Sequence, residues 1–97
     1  MIDASAAPRW THGAPLLPGT RVVLGGPLLT PRAELAGRAR SAGLVPVEEV
    51  DGTTGLLVAA DAASGEAEVR AAMRLGVPIV DEYTFEDLLP AVPRPRG

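Results

Sequence analysis

The chain predicts an α/β domain: a four-stranded parallel sheet in the order 2-1-3-4, with helices on both faces as a three-layer sandwich. Three observations carry that prediction. Apolar runs of strand length alternate with segments of helical period along residues 21–89. Two of the four runs contain a proline, Pro46 and Pro78, and a residue without an N–H belongs at a sheet edge. The run at residues 55–60, GLLVAA, is apolar on both alternating faces, as in a central strand covered on both sides.

The elements follow in order. Arg21, Val22, Val23 and Leu24 form the first strand, stopped by Gly25, Gly26 and Pro27. Thr30 and Pro31 read as an N-cap and a first helical residue. The helix then runs to Gly43, a C′ residue, with Leu35, Ala36, Ala39 and Ala42 on its inner face. Residues 44–50 form the second strand and residues 55–60 the third. Ser64, Gly65 and Glu66 open a second helix, which carries Glu66 and Glu68 at its positive end and Arg70 and Arg74 further on. Val69, Ala72 and Met73 make its apolar stripe, and Gly76 ends it. Residues 77–80 are the fourth strand. Asp81 or Thr84 caps a last short helix holding Phe85, Leu88 and Leu89.

Ninety-seven residues are one domain's worth. We divide them into a flexible leader over residues 1–18, a folded domain over 19–90 and a Pro/Arg-rich tail over 91–97. Trp10, Tyr83 and Phe85 are the only aromatic residues, so the core is built from Leu, Val, Ile and Ala. Cysteine is absent, which excludes disulfides and thiolate metal sites. All nine basic residues are arginine, so chemistry that needs a lysine amine is excluded as well. No stretch approaches the ~20 apolar residues of a membrane span and no signal-like segment opens the chain, so the expected location is cytoplasmic, away from membranes. The net charge is −3, and residues 21–90 hold six arginines against eleven acids. An acidic body disfavours non-specific grip on a nucleic-acid backbone.

The stretch VVLGGPLLTPRAELAGRARSAG resembles the opening of a BRCT domain, with its strand ending in glycine, its helix and its Gly-containing turn. LLVAADAASGEAEVRAAMRLGVPIVDEYTFEDLL resembles the second half of that family, with Ala72, Gly76, Pro78 and Phe85 at the matching positions. The similarity covers about residues 19–90 and is greatest to single bacterial BRCT domains, those of NAD-dependent DNA ligases and actinobacterial polymerase III epsilon-like exonucleases. It implies a non-catalytic module, without cofactor or metal, that binds a protein partner in DNA replication or repair. DNA ends or nicks are the alternative ligand. A small enzyme or nucleotide-binding protein ranks third.

The resemblance also implies where a ligand would sit. Phosphate-binding members use a Ser or Thr hydroxyl and a glycine amide at the end of the first strand, plus a lysine on the second helix. Here Gly25 stands at the hydroxyl position, Gly26 keeps the amide, and Glu68 stands for the lysine. An anion in place of the cation repels phosphate, so the pocket is expected to be inactive.

Other readings are weaker. The glycine pair lacks the remaining G-x-G-x-x-G positions, filled by Pro27, Leu28 and Leu29, so neither Glu48 nor Glu49 serves as a ribose acid and a turn explains the glycines. His12 has no convergent partners for catalysis or metal. Trp10 reads as a satellite packing contact, with a partner anchor as its alternative. Asp81, Glu82, Glu86 and Asp87 read as acids favoured by a helix dipole rather than as metal ligands. Arg94 and Arg96 read as solubilising charges.

Overall fold

The computed structural model describes residues 9–25, 28–59 and 67–93. The elements are β1 (Arg21–Leu24), α1 (Arg32–Ser41), β2 (Val45–Val47), β3 (Leu56–Val58), α2 (Ala67–Leu75), β4 (Ile79–Val80) and α3 (Glu82–Leu88), followed by a 3-10 turn at Leu89–Ala91. All strand pairs are parallel, and the order is β2-β1-β3-β4. The fold class and sheet order are those the sequence predicts. The strands are shorter than the apolar runs, because pairing extends only as far as a hydrogen-bonded neighbour exists.

Alternation along the strands builds two cores. Val22, Leu24, Leu56, Val58 and Val80 face one layer, where Leu35 and Ala39 of α1 and Phe85 of α3 complete a single buried cluster. Val23 and Leu57 turn to the opposite face and pack with Val69 and Ala72 of α2 and with Val77. Leu57 and Phe85 are both wholly buried, one in each cluster. All three residues of β3 are buried, as a strand covered on both sides requires.

The prolines act at the edges as expected. The Val45 amide donates to Thr20 O at 2.9 Å, which turns the backbone of Val45 towards β1. Alternation then points the donor-less Pro46 nitrogen outwards, where an N–H would otherwise recruit another strand. Pro78 lies just before β4, and its carbonyl accepts from Leu57 N at 2.9 Å.

Both longer helices end on a left-handed glycine. Gly43 has φ +96° and Gly76 has φ +74°. Leu44 N bonds back to Ala39 O at 2.9 Å and Val77 N to Ala72 O at 2.8 Å, closing each last turn in the six-to-one pattern of a glycine stop. Asp81 caps α3, its carboxylate accepting from Thr84 N at 2.7 Å.

The start of α1 differs from the sequence reading. Thr30 is not the cap and Pro31 is not the first helical residue. Pro31 holds the N-cap position with extended ψ 136°, and its carbonyl accepts from Leu35 N at 3.0 Å. The Thr30 amide and hydroxyl instead donate to Glu82 and Glu86 of α3. The predicted opening of α2 at Ser64, Gly65 and Glu66 lies outside the described residues.

The expected boundary at residue 18 also moves. Trp10 is 6% exposed and Leu16 wholly buried, both within the α1/α3-side core. Trp10 N donates to Gly55 O at 3.1 Å, and its indole Nε1 donates to Ala14 O at 2.6 Å. The Arg9 guanidinium reaches Leu75 O at 3.1 Å and Gly76 O at 3.5 Å, satisfying carbonyls at the end of α2. Residues 9–18 are therefore part of the folded body, and of the two readings of Trp10 the packing one holds. At the other end, Val92 is buried in the same core, so the tail begins beyond it. Residues 94–97, including Arg94 and Arg96, lie outside the described residues.

Candidate functional site

In an open parallel sheet the chain crosses to opposite faces where the strand order reverses, which opens a crevice beyond the carboxyl ends of the strands there. Here that point lies between β1 and β3, since α1 covers one face and α2 the other. Gly25 ends β1 at this crevice and Glu68 lies in the first turn of α2.

The fold brings these two together. A methyl group added at Gly25 would stand 3.8 Å from Glu68 Cβ and 3.3 Å from Leu57 Cδ1. Gly25 is buried, and its amide donates to Val58 O at 2.8 Å as the last rung of the β1–β3 ladder. That amide is already committed to the sheet. Glu68 is half-buried beside it. Gly26, the third residue singled out from the sequence, lies outside the described residues.

A contact that sequence reading missed joins the segment before α1 to α3. Glu82, at the start of α3, is buried, and its carboxylate accepts from Leu29 N at 2.7 Å and from Thr30 N at 2.8 Å. The Thr30 hydroxyl donates to Glu86 at 3.2 Å, and Arg38 of α1 pairs with the same Glu86 oxygen at 3.6 Å. The segment leading into α1 is thus held down by the first two turns of α3. Burial pushes the Glu82 carboxyl up, but the amides of Leu29 and Thr30, with the Thr30 side chain, outweigh it and hold the group below the ordinary glutamate range. This corrects the reading of Glu82 and Glu86 as mere dipole acids. No local pattern announces the clamp, because its partners are separated by 52 and 53 residues.

The remaining acids have local roles. The hydroxyl and amide of Thr84 lower the Asp81 carboxyl. Thr53 does the same for Asp51, whose carboxylate accepts from the Thr53 amide at 2.8 Å and from its hydroxyl at 2.6 Å. Among the described residues no group of three or more His, Asp or Glu side chains is placed to hold a metal ion, and no helix is long and apolar enough to cross a membrane. His12 stacks edge-on against Trp10 at a centroid distance of 4.7 Å, an aromatic pair on the body of the domain.

The chain matches no protein-family model and no curated protein at a significant level.

Proposed function

We propose that the chain is a BRCT-like, non-catalytic interaction module that engages a protein partner in DNA replication or repair and has no working phosphate pocket. The order of elements and the sheet order 2-1-3-4, together with the similarity of the strand-end and helix-end sequences, support the family reading. One observation supports the loss of phosphate binding: Gly25 and Glu68 meet at the carboxyl end of β1. A hydroxyl donor is missing there, and the half-buried acid Glu68 stands where the family's lysine would be. Two like charges in a half-buried site repel more strongly than in water.

Calorimetric titration with phosphoserine peptides tests the pocket. No phosphate-dependent heat is expected, and sub-micromolar binding that disappears on dephosphorylation would overturn this part of the reading. Proximity labelling from a fusion of the chain in its source cell tests the partner. Enrichment of replication and repair proteins over an unrelated domain is expected, and equal labelling would remove the family reading. A gel shift with nicked duplex at low and physiological salt tests the DNA alternative. Weak binding is expected from an acidic body, whereas tight binding that falls steeply with salt would favour DNA.

A further inference from the structure

The two edges of the sheet are not equivalent. On β2 the outward backbone nitrogen belongs to Pro46 and carries no proton. On β4 the carbonyls of Pro78 and Val80 accept from Leu57 N and Ala59 N of β3, both at 2.9 Å. Successive residues of a strand turn their backbone groups to opposite sides. Pro78 and Val80 therefore face β3, while the N–H and C=O of Ile79 face away from the sheet. The missing proton of Pro78 falls on the inner side, so it does not guard the outer edge. Among the described residues no strand pairs with that edge.

The edge has apolar shoulders and an acidic end. Ile79 is half-buried against the cluster that α2 covers. Met73 of α2 is 69% exposed. It stands five residues after Glu68, about 140° round the helix. Glu68 is turned to Gly25 of β1, so Met73 falls on the flank towards β4. Across the sheet, Leu88 of α3 is half-buried on the flank opposite Glu86, which is turned to α1. Residues 77–93 hold four acids and no base. Glu82 and Glu86 are engaged on the α1 side, whereas Asp81 is exposed where β4 ends.

We propose that the outer edge of β4 takes an added antiparallel strand from a partner protein, with a basic residue beside Asp81 and apolar residues beside Ile79 and Leu88. The open N–H and C=O of one extended residue are matched by extended backbone. Antiparallel pairing gives both groups of Ile79 to a single partner residue. The residue before that one lies on the Leu88 face, and the residue two before it stands beside Asp81. A second copy of the chain brings the same net charge of −3, so repulsion opposes it. The site rests on the reading of the chain as an interaction module and makes no use of the Gly25–Glu68 crevice.

Amide chemical-shift titration of the whole chain with the peptide acetyl-Thr-Lys-Val-Ile-Thr-amide tests it. Saturable shifts at Ile79 and Val80 are expected, together with slower hydrogen exchange at the Ile79 amide. Methylating the backbone nitrogen of the peptide isoleucine is expected to abolish binding, and glutamate in place of its lysine to weaken it severalfold. Asp81→Asn keeps a capping acceptor for α3 and is expected to remove the preference for lysine, which misfolding does not mimic. No saturable shift at Ile79, or equal binding of the methylated peptide, would overturn the site. So would slow exchange of the Ile79 amide in the free chain, which means an edge already covered, or Ile79 shifts that follow the chain's own concentration, which mean a second copy. Failure of the peptide with replication and repair proteins still enriched by proximity labelling would remove the β4 site alone.

Discussion

At the level of single residues, Glu82 is the side chain whose role is furthest from its appearance. It reads as a surface acid at a helix start, yet it is buried and holds two backbone amides on the far side of a loop. Because its carboxyl is depressed when folded, its contribution to stability is complete above the ordinary value of 4.5 and is lost as pH falls from there through the folded value. Asp51 and Asp81, lowered from 3.8, act in the same direction at lower pH. Glu82→Gln is expected to lower the urea midpoint at neutral pH and to flatten its fall as the pH drops below 4.5. An unchanged acid limb would contradict the clamp. Gly25 and Glu68 give the second residue-scale prediction. Glu68→Lys together with Gly25→Ser is expected to create measurable phosphoserine-peptide affinity, provided Leu57 yields the few tenths of an ångström that a Cβ at 3.3 Å requires. If calorimetry detects no gain in a folded double variant, the crevice is not a degenerate phosphate pocket.

Elements carry their own tests. Gly76 sits at φ +74° behind α2 with open room around its Cα, the nearest atom to an added Cβ being Arg9 Nη1 at 3.6 Å. Gly76→Ala is therefore expected to cost about 1 kcal/mol through left-handed backbone strain rather than through a clash, measurable by denaturant melting. On β2 the missing proton of Pro46 leaves the outer edge unable to extend the sheet. Pro46→Val restores that donor, and light scattering is expected to show concentration-dependent association that the parent chain lacks. A variant that scatters identically would mean that other features guard the edge.

Across the whole molecule, the core extends beyond the span that the alternating pattern marks out. Trp10, Leu16 and Val92 are buried together with the strands they flank. Leu16→Ala is expected to cost about 2–5 kcal/mol, the range for emptying a fully buried leucine site. A chain beginning at residue 19 is expected to melt well below the parent. If both behave like the parent in thermal denaturation, residues 9–18 do not belong to the cooperative unit.

The elements, their order and the sheet topology were determined by the sequence alone. Strand and helix periods are local, glycine stops act within a turn, and a proline excludes a strand from the sheet interior wherever it occurs. Leu35, Ala39, Val69 and Ala72 on the inner faces of the helices were legible for the same reason, whereas Met73, read as part of the α2 stripe, is exposed. The tertiary structure alone decided what joins across distance. Leader residues with no period of their own pack because the sheet leaves a surface that Trp10 and Leu16 cover. Thr30, read as a helix cap, instead donates its amide to Glu82, 52 residues away. Gly25 and Glu68 could be paired from the sequence only through a family resemblance, whereas the open edge of β4 exists only once pairing with β3 turns the Ile79 N–H outwards. Local propensity acts over a few residues; a hydrogen bond or a cavity depends on which surfaces folding sets against each other.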